Sequence, residues 1–363
     1  MNEVTQIGVT DEEDGLRPDR WFKRRFPMLT HGRLEKLLRT GQVRVDGARA
    51  KANARLETGQ TVRVPPLGEE TAKPAPKVAR AVSDRDAEFV RSLVIHKDKS
   101  VLVLNKPAGL AVQGGTKTER HLDGMLDALT FEAKERPRLV HRLDRDTSGV
   151  LVLARTAKAA AALAKAFKQK DARKIYWALV VGVPVPRQGT IDLWLTKEGG
   201  PRAERVFAAK KGDEGARDAS THFSTVAMAA HKLAWVAFMP LTGRTHQIRV
   251  HAAAIETPIV GDGKYGGVNA HPGGEIPRQL HLHARSLDIA HPDGGRLFLE
   301  AELPPHMKAS WIFSANDVVI NLGVITAGVL VAWTGSNYPD LVIGSIAGLV
   351  VLNGARRILA LKG

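Results

Sequence analysis

The 363-residue chain reads as an α+β protein of several parts, and three observations carry that reading. Short apolar runs, Val101-Leu102-Val103-Leu104 and Val150-Leu151-Val152-Leu153-Ala154, have the length and branching of buried strands. The second run leads into Ala157 to Lys168, whose alanine-rich sequence with a basic outer face predicts a helix. Composition also shifts twice: residues 67–88 are rich in Pro, Ala, Lys and Glu, and the chain turns largely apolar after Trp311. These shifts divide it into a disordered, acidic N-terminus (1–15), a small basic α/β module (16–66), a linker (67–88), a main domain (89–311) and an apolar helical hairpin (312–363).

Charge and cysteine content narrow the function classes. There are 53 Lys and Arg against 38 Asp and Glu, a net charge of +15, which favours a polyanion as partner. No cysteine is present, so disulfides, thiolate zinc sites and cysteine nucleophiles are excluded, in keeping with a reducing cytoplasm. Met1 to Asp14 has no apolar core of a signal peptide, and a cytosolic start is expected.

In the basic module, Arg17, Arg20, Lys23, Arg24 and Arg25 crowd a first helical segment that Leu16, Trp21 and Phe22 anchor. A second helix runs from His31 to a glycine cap at Gly41. Leu34, Leu37 and Leu38 share one face of it and leave Arg33, Lys36 and Arg39 exposed. Val43-Arg44-Val45-Asp46-Gly47 alternates into a turn, and Leu56 to Val64 suggests a further strand.

In the main domain, Asn105-Lys106-Pro107-Ala108-Gly109 turns out of the first apolar run. His141-Arg142-Leu143-Asp144-Arg145-Asp146-Thr147-Ser148-Gly149 places a carboxylate between two arginines just ahead of the second. The strand anchors that turn, and the flanking cations favour an ionised Asp144, as a nucleophile requires. Asp146 is the rival, with its side chain expected to point away. Lys174 to Gly182 is a strand on which Tyr176 and Trp177 face opposite ways, Trp177 as a packing residue. Thr242-Gly243 launches a helix on which Ile248, His251, Ala252 and Ile255 form the apolar side. His246 and His251, five apart, make a poor helical metal clamp, and no metal site is expected. Leu280 to Ala284 and Arg296 to Leu303 add two closing strands.

Taken together, the His-Arg-Leu-Asp turn, the Lys-x-Tyr strand and Leu241-Thr242-Gly243-Arg244-Thr245-His246-Gln247-Ile248-Arg249 resemble the RluA-type pseudouridine synthases. With the basic module, which resembles an S4-type RNA-binding domain, the arrangement is most similar to the large-subunit ribosomal RNA enzymes of that family, the RluC/RluD-like ones. The resemblance implies the pseudouridine synthase fold, a mixed and largely antiparallel sheet with flanking helices and a central catalytic cleft. It implies Asp144 as nucleophile, Tyr176 stacked on the uracil, and Arg249 paired with Asp144. Arg142, Arg17, Arg20, Arg33, Lys36, Arg244 and His246 are then the RNA-binding candidates. Large-subunit ribosomal RNA is the expected partner, the protein is expected to be monomeric, and the isomerisation needs no cofactor. Thr257 departs from the family, which usually has glycine before Pro-Ile. A non-catalytic or tRNA-directed RNA-binding protein is the alternative, and a magnesium-dependent phosphodiesterase lacks the further carboxylates it needs.

Val318 to Trp333 and Leu341 to Leu352 are almost wholly apolar, yet each falls short of the ~20 residues that cross a bilayer. The tail, Ser310 to Leu359, resembles the last two membrane helices of cation diffusion facilitator transporters. Basic residues flank it on both sides, which suits a hairpin with cytosolic ends and adds membrane association, or a membrane-tethered fusion, to the expectations. Transport is not expected, because Asp317 and Asn321 cannot complete a tetrahedral site.

Overall fold

The structure, a computed structural model, describes residues 3–50, 54–67, 82–115, 120–169, 171–198, 205–229, 232–273, 276–308, 310, 338–359 and three isolated tail residues. It forms two compact units, Met1–Ala81 and Val82–Gly363.

In the first unit, α1 (Pro18–Arg25) starts on a proline at its first position, where the missing N–H costs nothing. With α2 (His31–Arg39) it covers a four-stranded sheet of order β1-β4-β2-β3. The strands are β1 (Thr5–Gly8), β2 (Arg44–Val45), β3 (Ala48–Arg49) and β4 (Thr61–Val64). Trp21 and Phe22 from α1 and Leu34, Leu37 and Leu38 from α2 meet Val43, Val62 and Val64 in the core. The expectation of a disordered N-terminus is corrected here. β1 pairs antiparallel with β4, and Glu13 is buried, accepting hydrogen bonds from Trp21 Nε1 (3.1 Å) and both arms of Arg25 (2.7 Å each). The acidic stretch reads as solvated until Arg25 supplies the partner that a buried carboxylate needs.

The second unit opens with α3 (Asp84–Ser92), capped by Ser83, whose Oγ accepts from the Asp86 N–H at 3.2 Å. The linker expected over 67–88 therefore ends earlier; residues 68–81 of it lie outside the described residues. After β5 (Val94–Lys97) and β6 (Val101–Lys106) come the short β7 (Arg138–Leu139), β8 (Ser148–Ala154), α4 (Ala157–Lys168) and β9 (Arg173–Val181). Then β10 (Gln188–Glu198), β11 (Arg205–Ala209), β12 (Arg217–Ala229) and β13 (Leu233–Pro240) form an antiparallel array. α5 (Gln247–Ala254), β14 (Leu282–Ala290) and β15 (Arg296–Glu300) close the domain.

One eleven-stranded sheet results, of order β11-β10-β12-β13-β9-β14-β8-β6-β5, with β15 on β14 and β7 on β8. It is mixed and largely antiparallel, with flanking helices, as the resemblance implied. β14 joins its halves, antiparallel to β9 and parallel to β8. The junction is tight: Gly149 (φ 110°) lies opposite Ala284, and an added Cβ would collide with the Ala284 carbonyl. Only glycine fits there.

In the tail, most of the first apolar segment, Val318 to Trp333, lies outside the described residues. The second belongs to α6 (Tyr338–Leu359), 22 residues long. No helix among the described residues is long and apolar enough to cross a membrane, and most of the first half of the expected hairpin lies outside the described residues. Asn353, Arg356 and Arg357 interrupt the apolar stretch of α6. A Cβ added at Gly344 or Gly348 would meet nothing within 4 Å, so neither glycine serves close packing among the described residues.

Candidate active site

A cleft of about 720 Å³ lies where the Leu143–Thr147 turn, β9 and the N-terminus of α5 converge. Asp144 is the only acid among the described residues that line it, amid cations that include Arg142, Arg145, Lys168, Lys174, Arg244 and Arg249. A single carboxylate in a cationic cleft suits a polyanionic substrate.

The turn that carries Asp144 is held from beneath. Its own Thr147 N–H donates to the Asp144 carbonyl at 3.2 Å. Lys106, fully buried at the end of β6, donates from Nζ to the carbonyls of Pro107 (2.9 Å), Leu110 (2.8 Å) and Arg145 (2.9 Å). Burial pulls its ammonium down to about 7, while Asp146 and Asp144 oppose the shift. The Asn-Lys-Pro-x-Gly turn thus braces the site from below. His141, the first residue of the long motif, is held by packing: its Nε2 accepts the Val152 N–H at 2.9 Å and its ring packs on Phe167. Burial pushes it down to about 3, so it is neutral. The rival carboxylate, Asp146, turns to Arg145, with Nε to Oδ1 at 3.1 Å, and does not line the cleft.

Tyr176 projects from β9 into the cleft between two core clusters. Burial and the charge of Asp144 push its phenol well above the usual range. Trp177, on the other face of β9, packs with Leu179 and Trp235.

The loop before α5 is locked by Gln247. Its amide donates to the Ser220 carbonyl and Thr221 Oγ1 (2.9 Å each), and its Oε1 accepts from Thr242 Oγ1 (2.8 Å) and the Arg244 N–H (3.0 Å). Arg249 does not pair with Asp144 as expected. Its guanidinium forks onto Asp262, Nε to Oδ2 at 2.8 Å and Nη2 to Oδ1 at 2.6 Å, and lies over the Tyr265 ring. Asp144 acts on it only through space; burial opposes its charge, but Asp262 and then Asp144 keep the guanidinium raised. The Asp144 contact falls instead to His246, Nε2 to Oδ2 at 3.8 Å. Asp262 and Tyr265 were visible in the sequence as Gly261-Asp262 and Tyr265-Gly266, but nothing in their spacing points to α5.

Of the RNA-binding candidates, Arg142, Arg244 and His246 line the cleft. Arg142 donates to Gln113 Oε1 at 3.4 Å, and Arg244 to the Asp218 carbonyl at 2.9 Å. Arg17, Arg20, Arg33 and Lys36 belong to the first unit, where Arg20 and Lys36 are exposed, Arg33 is half-buried and Arg17 is paired with Asp19.

A family profile for RNA pseudouridylate synthase matches residues 100–254. RNA pseudouridine synthase 4, mitochondrial, of Arabidopsis thaliana is 34% identical over 80% of this chain and 78% of its own length. Ribosomal large subunit pseudouridine synthase C of Rickettsia prowazekii is also 34% identical, over 80% of this chain and 94% of its own. Among solved structures, human RNA pseudouridylate synthase domain containing 4 superposes with a TM-score of 0.52 at 28% identity, covering 62% of this chain and 94% of that one.

Proposed function

Since the chain belongs to the RNA pseudouridine synthase family, isomerases that act on RNA, we propose that it converts specific uridines of 23S, large-subunit ribosomal RNA to pseudouridine with Asp144 as nucleophile. One observation carries the assignment: among the described residues Asp144 is the sole acid of a cationic cleft, beside a buried tyrosine. The reaction breaks the N1–C1′ bond, turns the uracil and joins C5 to C1′. The C5 proton leaves and N1 gains one, so atoms and electrons balance without a redox partner. Asp144 acts at C1′ or on a neighbouring proton to release the base. Tyr176 stacks on the uracil and assists the loss of the C5 proton. The uridine leaves the helical stack first, and Arg142, two residues before Asp144, fills the gap or holds a phosphate.

The first unit is read as an S4-type RNA-binding domain, supported by its helix pair on a small sheet with Arg20, Lys36 and Arg39 exposed. Phosphate contacts from such a face would add affinity without base selectivity. The reading places a monomeric enzyme in the cytoplasm with its RNA. It treats the tail, a transporter-like fragment by sequence alone, as separate from the chemistry.

Mapping pseudouridines in ribosomal and transfer RNA of a deletion strain tests the assignment. Loss of pseudouridine at sites of large-subunit ribosomal RNA, restored by the wild-type gene and not by Asp144→Asn, is expected. Loss confined to transfer RNA would overturn the ribosomal substrate.

A further inference from the structure

His246 is the one residue of the α5 entry with a left-handed backbone, φ 52° and ψ 18°, and it makes no capping hydrogen bond. Such a conformation is unfavourable for a side chain with a Cβ, and it persists where surrounding structure enforces it. Here it turns the imidazole between two partners. Nδ1 lies 2.7 Å from the Tyr265 hydroxyl, and Nε2 lies 3.8 Å from Asp144 Oδ2.

The hydroxyl's second contact and the carboxylate facing Nε2 together favour one tautomer. Tyr265 Oη already accepts the Val206 N–H at 3.2 Å. In that tautomer the hydroxyl donates to Nδ1, and the ring proton sits on Nε2, turned toward Asp144. The opposite tautomer would set a nitrogen lone pair against a carboxylate. Tyr265 is itself clamped under Arg249, whose fork onto Asp262 fixes both. Charged groups around the imidazole are Asp144, Arg249, Lys264 and Asp262; burial, the largest influence, keeps the ring neutral.

We propose that His246 is a positioning residue for Asp144, held by Tyr265 so that its Nε2–H steers the carboxylate, rather than an RNA contact. The proposal rests on the reading of Asp144 as the reacting group. A separation of 3.8 Å is longer than a hydrogen bond, and such contacts tighten when substrate fills a cleft.

Four full-length variants, assayed for isomerisation of a ribosomal RNA fragment alongside thermal unfolding, separate the roles. Asparagine tolerates the left-handed backbone and reaches only the Nδ1 position. His246→Asn is expected to melt no lower than wild type and to lose about 10–100-fold in kcat, with KM within about twofold, the loss of one hydrogen bond to a charged group. His246→Gln, whose amide nitrogen reaches the Nε2 position, is expected within about fivefold of wild type, and Tyr265→Phe to lose about 3–10-fold in kcat. A raised KM with unchanged kcat in His246→Asn overturns the proposal and makes His246 an RNA contact. A His246→Gln variant as slow as His246→Asn, at wild-type melting temperature, overturns it as well. Asp144→Asn must be inactive; if it turns over, the underlying reading of Asp144 fails, whatever the His246 variants do.

Discussion

Lys106 shows how a single side chain sets the site without touching substrate. It is fully buried and its Nζ meets three carbonyls, one of them Arg145 in the turn that carries Asp144. Lys106→Met keeps the apolar stem and strips three buried acceptors of their donor. A loss of about 3 kcal/mol in denaturant unfolding is expected, with kcat falling more than KM because the turn loosens. An unchanged stability would show that the carbonyls find other donors. Asp146→Asn, by contrast, alters an exposed pair with Arg145 and should change activity by less than about twofold, since such pairs contribute little. Residue identities in the site were largely legible, because motif turns ahead of apolar strands stand out. Partners were not: helical spacing shows which face Arg249 occupies, and only the fold brings Asp262 across to it.

Among elements, legibility followed apolar contrast. β8, α4 and β9 stood out because continuous Val/Leu runs and an alanine face have few other readings. β10 and β12 stayed hidden because polar and charged residues run along their length, so no clean alternation survives; β13, Leu233–Pro240, is a continuous apolar run that the rule would have found. α3 was masked by a charge-rich sequence next to a Pro/Ala stretch, although Ser83 and Asp86 supply its cap. β1 was missed because its strand pairing depends on β4, more than fifty residues on. The same N-terminal element titrates. The hydrogen bond from Arg25 lowers Glu13 to about 2. A lowered carboxylate contributes stability that is complete above its unfolded value of about 4.5 and is lost as pH falls through about 2. Hydrogen exchange at α1 should therefore quicken as pH is taken from 4.5 toward 2 once intrinsic rates are divided out, and Glu13→Gln should abolish that dependence. Protection that stays flat across the window would contradict the pairing. At the other end, Met307 is fully buried and Ser310 Oγ meets His281 Nε2 at 3.1 Å. Truncation after Trp311 should keep activity, whereas truncation before Met307 should lower the melting temperature of the catalytic domain.

For the whole molecule, the net charge of +15 is the feature that reaches farthest. Each phosphate neutralised releases counterions, so affinity for folded ribosomal RNA should fall steeply with salt. Deleting Met1 to Pro66 should weaken binding and flatten that slope while the isomerisation step, measured at saturating enzyme, stays within about threefold. An unchanged slope would reduce the basic face to a solvated surface. The central claim is that Asp144, in its cationic cleft, carries the chemistry. Its most direct measurement is single-turnover release of tritium from large-subunit ribosomal RNA labelled at uridine C5, since re-joining through C5 must expel that hydrogen. Wild-type enzyme should release it, and Asp144→Asn should release none while binding the RNA within a few-fold of wild type. Release by Asp144→Asn at the wild-type rate would contradict the account.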